Sequence, residues 1–277
     1  MPVLRRIRSI VRVTADRLLP DRLYFPVICF LYLLGNKKRR GSRTRFMVTG
    51  EKTYSAKDPD ATEIFFCERR RLGLYHYPGG VKRRIDKVLA KYSFGDVSVA
   101  QGDVVIDVGA NLGEFTLAVS HLASRVLAID PDPNVQTALA LNLQKLPNAE
   151  IFPLALSDTD GEVEFFVSTA EADSSIVKPE RFSNIIKVPA CRLDTLVENA
   201  GIERVDFLKL EAEGWEPEIL AGAQRTLSMT RKVAVDAGPE RYGEPTADAV
   251  MAALSDAGFN VVQKDFIVFA SRPEPGS

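Results

Sequence analysis

Apolar and polar residues alternate along residues 102–270 in a pattern that predicts a parallel α/β sheet. The run Val104–Val108 is apolar at every position but one, as expected of a strand buried on both faces. Segments with helical spacing of apolar residues, such as Pro133–Leu143, follow these runs and predict helices on both faces of the sheet. The predicted strands are residues 104–108, 125–129, 150–156, 207–210 and 232–236, closed by a hairpin of residues 259–262 and 266–270.

An insertion interrupts this alternation after the third predicted strand. Gly161–Val167 alternates with period two and Ile185–Ala190 is a short apolar run, so both are predicted strands. Residues 170–183 between them form a polar loop that is longer than most connections. A loop of this length is typical of a functional lid, and its location suits an acceptor pocket. Structural padding is the alternative.

The N-terminal fifty residues differ from the rest of the chain in charge. They carry twelve Lys or Arg and two Asp, although the whole chain has a net charge of −1. Val3–Leu19 has apolar residues at helical spacing, and Leu23–Leu34 is an apolar run too short to span a bilayer. Two interpretations stay open for residues 1–40: peripheral contact with an anionic membrane, or packing on the rest of the protein or on a second subunit. A nucleic-acid-binding arm is disfavoured because the basic residues accompany bulky aliphatic ones.

Composition and charge predict the organisation of the chain and its compartment. We expect residues 1–50 to be a basic, partly helical extension, 51–100 a lead-in region whose helix covers the sheet, and 101–272 the main domain. Hydrophobic residues make up 45% and charged residues 26% of the chain, as in ordinary globular proteins. Three scattered cysteines and two histidines argue against a zinc site, and no metal ligand is predicted. We therefore expect a reduced, cytoplasmic protein. The alternative is a protein attached peripherally to the inner membrane surface through residues 1–40.

The turn after the first predicted strand is the first candidate site. Strand, glycine turn and helix meet at Asp107-Val108-Gly109-Ala110-Asn111-Leu112-Gly113. This order is typical of nucleotide-type sites, because glycines let the backbone approach a ligand closely. The spacing differs from the dinucleotide fingerprint, since Asn111 occupies the second glycine position. The alternative is an ordinary turn with a helix-capping asparagine.

Two further acids follow predicted strands. Asp130 ends the second strand, 21 residues beyond Gly109, close to the roughly 20 at which an acid meets ribose hydroxyls. Its carboxylate can accept two hydrogen bonds from a vicinal diol. Asp158 follows the third predicted strand, where it is placed to accept from an exocyclic amine such as that of adenine. Carboxyl ends of parallel strands meet at one edge, so Asp107, Asp130 and Asp158 are expected there together.

A second chemical cluster follows the fourth predicted strand. Lys209 lies inside that apolar strand, so it needs a partner, and Glu211 and Glu213 come just beyond the strand end. These carboxylates can orient an acceptor, take a hydroxyl proton or hold a hard cation. The alternative is an acid-rich helix N-terminus, which explains Glu216 and Glu218 but not Lys209.

These motifs together resemble the FkbM-type family of S-adenosylmethionine-dependent methyltransferases, over about residues 102–238. The combination, in order along half the chain, is more specific than any single piece. The matching residues are Asp107 to Gly113, Asp130 to Pro133 with Asn142, Ala155 to Asp158 with Gly161, Leu193 to Leu196, and Lys209 to Gly214 with Glu218, Leu220, Gly222 and Ala223.

The resemblance implies a seven-stranded, doubly wound, mostly parallel Rossmann-like sheet of the class I methyltransferases. It implies S-adenosyl-L-methionine as cofactor and methyl transfer to a hydroxyl of a sugar, glycolipid or polyketide-like acceptor. The family usually has Asp where Glu211 stands and Glu where Asp236 stands, so acceptor geometry can differ here. The predicted cofactor-binding residues are Asp107, Gly109, Ala110, Asn111, Gly113, Asp130 and Asp158. The predicted catalytic set is Lys209, Glu211, Glu213 and Asp236.

An in-line displacement is the expected mechanism, with Glu211 or Glu213 as the general base and Asp236 behind them. Two other classes stay open. A non-catalytic scaffold attached to a membrane through residues 1–40 would retain the fold without cofactor turnover. An NAD-dependent oxidoreductase would require glycine in place of Asn111.

Overall fold

The computed structural model describes residues 19–20, 23–27, 44–68, 73, 76–77, 79–168, 174–179 and 182–272. The chain forms two compact units, divided after Arg84. The predicted amphipathic helix of Val3–Leu19 and the basic residues 37–43 lie almost entirely outside the described residues, so the prediction of membrane contact stays a prediction. Within the described part of the chain, no helix has the length and apolar character needed to cross a bilayer.

The first unit contains a three-stranded antiparallel sheet with an aromatic core. Its strands are β1 (Arg45–Gly50), β2 (Thr53–Lys57) and β3 (Glu63–Cys67), paired in the order β1-β2-β3. The β1–β2 hairpin crosses residue 50, where the sequence pattern placed a boundary. Residues 23–27 are helical, and the ring of Phe25, 2% exposed, stacks on Phe46 with centroids 5.7 Å apart. The beginning of the apolar run Leu23–Leu34 therefore packs on this sheet.

The remaining elements alternate between strands and helices as the sequence pattern predicts. Helix α1 (Val81–Lys91) contains the point of division between the units. After it come β4 (Val104–Val108), α2 (Glu114–Val119), β5 (Arg125–Ile129), α3 (Pro133–Leu143), β6 (Ala149–Phe152), β7 (Ala155–Leu156), β8 (Gly161–Val167), β9 (Asn184–Cys191), α4 (Leu193–Asn199), β10 (Val205–Leu210), α5 (Glu216–Ala221), α6 (Gln224–Ser228), β11 (Thr230–Asp236), α7 (Ala247–Asp256), β12 (Asn260–Lys264) and β13 (Ile267–Ser271).

The central sheet of the second unit has seven strands in the order β12-β13-β11-β10-β4-β5-β6. β13 runs antiparallel to both of its neighbours, and the other pairings are parallel. The predicted seven-stranded, doubly wound, mostly parallel α/β sheet is confirmed. The chain order reverses between β4 and β10, and ligands bind beyond the carboxyl ends of the strands at such a reversal. Both predicted chemical clusters follow these two strands.

A second, three-stranded sheet corrects one prediction. The single predicted strand of residues 150–156 is split at Pro153: β6 ends at Phe152, and β7 pairs with β9 in the order β7-β9-β8. Proline has no N–H to donate to a strand ladder, which accounts for the break. Asp158 therefore follows a strand of the small sheet. The prediction that it follows the third successive strand of the central sheet is wrong.

Two of the residues that match the FkbM-type family, Asp194 and Gly222, stabilise the packing of helices. The Asp194 carboxylate accepts hydrogen bonds from the backbone N–H groups of Arg225 and Thr226 at 3.0 and 2.7 Å, which caps the start of α6. A Cβ atom at Gly222 would lie 2.2 Å from the Ser157 carbonyl oxygen, so only glycine fits there. These two positions carry a structural role.

Candidate active site

The glycine turn between β4 and α2 is shaped by contacts within the protein. Gly109 and Gly113 have φ of +72° and +84°. A Cβ atom at Gly109 would lie 2.0 Å from the Glu211 carbonyl oxygen, and one at Gly113 would lie 2.9 Å from a methyl group of Leu143. Asn111 also adopts the left-handed region, at φ +50°, which asparagine tolerates better than most residues. The glycines are therefore needed for close packing of β10 and α3 against the turn.

Four backbone N–H groups of this turn already have acceptors in the protein. Because phosphate cradles depend on free backbone donors, this arrangement does not favour the dinucleotide alternative. The donors are Gly109 and Ala110 to the Ile129 carbonyl at 2.9 and 3.0 Å, Gly113 to the Ala110 carbonyl at 2.7 Å, and Asn111 to Asp130 Oδ2 at 2.8 Å. The Leu112 carbonyl accepts from Asn142 Nδ2 at 2.8 Å, so α3 fixes the turn as well.

Lys209 and Asp107 form a buried ion pair beneath the turn. They are paired residues of β10 and β4, with Lys209 Nζ 3.1 Å from Asp107 Oδ1, and their side chains are 3% and 0% exposed. The same ammonium donates to the carbonyl oxygens of Val108 and Gly109 at 2.9 and 2.8 Å. Thr116 Oγ1 donates to Asp107 Oδ2 at 2.7 Å. The lysine thus ties two strands and the start of the turn together.

These contacts decide the charge of Lys209. Burial by itself lowers the pKa of this lysine, but the carboxylates of Asp107 and Glu211 outweigh burial and raise it. The ammonium donates to two carbonyls and lies at ion-pair distance from the carboxylates of Asp107 and Glu211. Lys209 is therefore a fixed cation that positions other groups. A direct part of Lys209 in catalysis stays a prediction.

Asp130 lies at the end of β5 beside the turn. Its two carboxylate oxygens accept from the backbone N–H groups of Asn111 and Asp132 at 2.8 and 2.9 Å. Burial nevertheless raises its pKa to about 6, although these hydrogen bonds and the charge of Lys209 act in the other direction. Asn111 Oδ1 is buried and has no hydrogen-bond partner among the residues that the structure describes. One acid and one unsatisfied acceptor thus lie on consecutive loops at this edge.

Asp158 differs from the other two predicted acids in its exposure. It lies on the surface after β7, where Asp158 Oδ1 accepts from Ser157 Oγ at 3.1 Å. Ser157 is buried and accepts from Trp215 Nε1 at 3.3 Å, which connects this loop to the loop after β10. Asp107, by contrast, is fully buried and is engaged by Thr116 and Lys209. Direct contact of either acid with a cofactor stays a prediction.

The loop after β10 is held by a buried glutamate from α5. Glu216 accepts from the backbone N–H groups of Ala212 and Gly214, both at 3.0 Å, and from Thr246 Oγ1 at 2.9 Å. Burial raises the pKa of Glu216. Glu213 has φ +51° in the same loop, and its carbonyl accepts from Ser175 Oγ at 3.1 Å. Glu216 lies in the first turn of α5, as the alternative interpretation predicts, and it also holds the preceding loop.

The described part of the insertion loop reaches both halves of this edge. Ser174 Oγ donates to Asp132 Oδ2 at 2.6 Å, next to Asp130, while Ser175 reaches the loop after β10 through the Glu213 carbonyl. These two contacts span the reversal point of the sheet, and the location of the loop next to an acceptor pocket stays a prediction. Whether the loop moves as a lid stays a prediction.

Lys91 is a site residue that the sequence pattern did not identify. Its ammonium lies 2.7 Å from Glu211 Oε1 and 2.5 Å from Asp236 Oδ2, so the last turn of α1 bridges the ends of β10 and β11. For residues 51–100 the sequence pattern predicts a helix that covers the sheet and no site residue. A lysine in the last turn of a helix gives no signal of a partner that is 120 or more residues away.

The strand order, with one antiparallel strand next to the edge strand, is that of Rossmann-like class I methyltransferases. The chain belongs to the FkbM methyltransferase domain family, which matches residues 107–261. The cofactor of this family is S-adenosyl-L-methionine.

Two relatives and one solved structure illustrate the similarity. The 2-O-methyltransferase NoeI of Sinorhizobium fredii is 28% identical over 146 residues, which cover 46% of this chain and 60% of NoeI. The hexuronic acid methyltransferase AglP of Haloferax volcanii is 30% identical over 138 residues, or 49% of this chain and 56% of AglP. The matches thus span little more than half the length of each relative. A methyltransferase structure from Aquifex aeolicus aligns with 67% of this chain and 88% of its own, at 18% identity and a TM-score of 0.38.

Replacing Lys209 by methionine removes the only described cation that contacts Asp107 and leaves a carboxylate buried without a countercharge. We expect the Lys209→Met variant to lose about 3–5 kcal/mol of unfolding free energy, measured by urea denaturation. Lys145 is exposed, so Lys145→Met is the matched control and should change stability by less than about 0.5 kcal/mol. A Lys209→Met variant as stable as wild type would show that the pair does not hold the turn.

Proposed function

We propose that this protein transfers the methyl group of S-adenosyl-L-methionine to a hydroxyl oxygen of a sugar. The position of the Asp130 carboxylate is the observation that supports this proposal most strongly. Its carboxylate is buried at the end of β5, is oriented by two backbone N–H groups, and adjoins the glycine turn. Each carboxylate oxygen retains capacity for a further hydrogen bond, so the acid can accept from both hydroxyls of a ribose.

The other residues at this edge are suited to the remaining parts of the cofactor. Asn111 Oδ1 lacks a partner among the described residues, and the ammonium of the methionine part would supply one. Asp158 is exposed on the neighbouring loop, where it would accept from the adenine amine. Gly109, Ala110 and Gly113 would form the surface of the turn on which the cofactor lies. Asp107 would act indirectly, since its contacts hold Lys209 and the turn in place.

The chain's own contribution to the reaction is alignment and proton removal. When bound, the cofactor supplies a sulfonium-activated methyl group. The loops after β4, β5 and β10 would fix the acceptor hydroxyl in line with that methyl group, which removes much of the entropic cost of the encounter. A sugar hydroxyl is a weak nucleophile, so a carboxylate at the same edge would take its proton. Glu211, Glu213 and Asp236 are the candidates that the sequence indicates.

The relatives favour a sugar over the other acceptors that the family resemblance implies. The names of NoeI and AglP describe a 2-O-methyltransferase and a hexuronic acid methyltransferase, respectively. A polar acceptor also agrees with the carboxylates of Glu211 and Asp236, which are 34% and 17% exposed at this edge and can accept from several hydroxyls.

The ionisation of Asp130 should control cofactor affinity. An acid whose pKa is raised to about 6 is ionised at pH 7.5, whereas at pH 5 only about one tenth of it is ionised. Because the ionised form accepts both ribose hydroxyls, we expect the Kd for S-adenosyl-L-methionine to rise about tenfold between these pH values. Isothermal titration calorimetry measures this change.

Asp130→Asn is the informative variant for this pH dependence. We expect it to bind the cofactor at least about tenfold more weakly at pH 7.5 and to lose most of the pH dependence. Asp256→Asn, at an exposed position in α7, should behave like wild type. An Asp130→Asn variant that keeps both wild-type affinity and pH dependence would place the ribose elsewhere.

Methyl transfer itself is tested with methyl-labelled cofactor and a panel of methyl glycosides of hexuronic acids and neutral hexoses. We expect label in at least one sugar as a methyl ether, which survives mild alkali. Label that alkali removes would be a carboxyl ester and would contradict O-methylation of a hydroxyl. Absence of cofactor binding by calorimetry would favour the non-catalytic scaffold.

A further inference from the structure

The carboxyl ends of β10 and β11 bring two carboxylates to one ammonium. Lys91 Nζ lies 2.7 Å from Glu211 Oε1 and 2.5 Å from Asp236 Oδ2. Lys91 is the last residue of α1, and its ammonium also lies 4.9 Å from the centroid of the Tyr92 ring. Both carboxylates are partly exposed, so a substrate hydroxyl can reach either of them. The two acids therefore share the contact with Lys91 and the exposure to substrate, but they differ in the other charged groups near them.

Glu211 faces two cations. Besides Lys91, the buried ammonium of Lys209 lies 3.4 Å from Glu211 Oε2. Each carboxylate oxygen of Glu211 is thus next to a fixed positive charge. A carboxylate in such a position stays ionised and has little tendency to accept a proton.

Asp236 faces one cation and two further acids. Lys91 is the only cation that contacts its carboxylate among the described residues, while the charges of Glu211 and Glu240 also act on it. The neighbouring Tyr92 is neutral, because burial and the charges of Glu211 and Asp236 raise its pKa. Among the described residues, Lys91 and Glu211 are the charged groups that shift the pKa of Asp236 most, and Asp236 itself raises the pKa values of Tyr92 and Glu240. The net charge around the Asp236 carboxylate is therefore less positive than the net charge around the Glu211 carboxylate.

The proton affinities of the two acids follow this asymmetry. Burial by itself raises the pKa of Glu211, but Lys209 and Lys91 outweigh it, so the pKa of this carboxyl is well below its usual value. Burial raises the pKa of Asp236, and the charge of Glu211 adds to the increase, although Lys91 opposes it. An efficient general base needs a pKa closer to the working pH than that of an ordinary ion-paired carboxylate.

We propose that Asp236 is the general base of the methyl transfer and that Lys91 is a positioning residue that holds Asp236 against Glu211. This assignment rests on the proposed function. In the step, the acceptor oxygen forms its bond to the methyl carbon, the carbon–sulfur bond breaks with its electron pair going to sulfur, and the hydroxyl proton passes to the Asp236 carboxylate. Glu211 stays ionised throughout and can accept a hydrogen bond from the sugar.

Carboxyl titration tests the order of proton affinity without any acceptor. The free protein carries ¹³C at the side-chain carboxyl groups of Asp and Glu, and Asp236→Asn and Glu211→Gln identify the two resonances in NMR spectra. We expect Asp236 to titrate at higher pH than Glu211 in wild type. In Lys91→Met both should titrate at higher pH, by about one unit or more, because the shared cation is lost. Lys91→Arg should restore most of the wild-type order.

The helix offers a matched control for Lys91. Lys87 lies about one turn earlier in α1 and is exposed, so Lys87→Met should leave both titrations unchanged. Glu211→Gln should move the titration of Asp236 to lower pH, since a like charge is removed. Opposite shifts in Lys91→Met and Glu211→Gln distinguish the charge network from a general loss of structure, which would move the two variants in the same direction.

Activity on the best sugar of the hexuronic acid and hexose panel provides the second readout. We expect Asp236→Asn to lower kcat by about 10²–10⁴ while the Kd for S-adenosyl-L-methionine changes less than about threefold. Glu211→Gln should lower kcat less and should move the acidic limb of the pH profile to lower pH. Lys91→Met should move that limb to higher pH.

Two results would overturn the assignment. One is a Glu211 carboxyl that titrates above Asp236 in wild type. The other is an Asp236→Asn variant with wild-type kcat and an unchanged acidic limb. Failure of the proposed function is distinguishable from failure of this assignment. In the first case the wild-type protein would not bind the cofactor or would not methylate any sugar. The carboxyl titrations would still decide which of the two acids has the higher proton affinity.

Discussion

The buried ion pair of Lys209 and Asp107 is the interaction on which the site depends. Two charges removed from water are tolerated only where hydrogen bonds compensate them. Here the ammonium has two carbonyl acceptors besides Asp107, and Asp107 has Thr116 as a donor. Since the two carbonyls belong to Val108 and Gly109, compensation of the charge also fixes the end of β4. The energetic requirement of one lysine therefore determines the path of the turn.

The turn affects the carboxylates on both of its sides. On one side, the N–H of Asn111 orients Asp130, the candidate for the ribose. On the other side, the same Lys209 ammonium keeps Glu211 ionised. Lys91 then completes an alternating arrangement of charges toward Asp236. The proposed cofactor side and the proposed acceptor side thus share one electrostatic network that begins in the central strands.

Sequence reasoning anticipated what is local or periodic. Apolar runs and helical spacing located the strands and helices of the central sheet, and a lysine inside the apolar strand β10 correctly indicated a buried partner. The partner, Asp107, is the neighbour across the β10–β4 pairing, and that pairing depends on a strand order that no local pattern contains. Lys91 was missed for the same reason. Asp158 was misplaced because Pro153 ends β6 and sends the chain to a second sheet, a break that the apolar run of residues 150–156 concealed.

A crystal structure with S-adenosyl-L-homocysteine tests the role of the buried pair most directly. Both ribose hydroxyls should lie within hydrogen-bond distance of the Asp130 carboxylate, with the Lys209 ammonium still on the Val108 and Gly109 carbonyls. A ribose bound away from Asp130, or a turn that has released Lys209, would contradict the claim that the buried pair shapes the cofactor site.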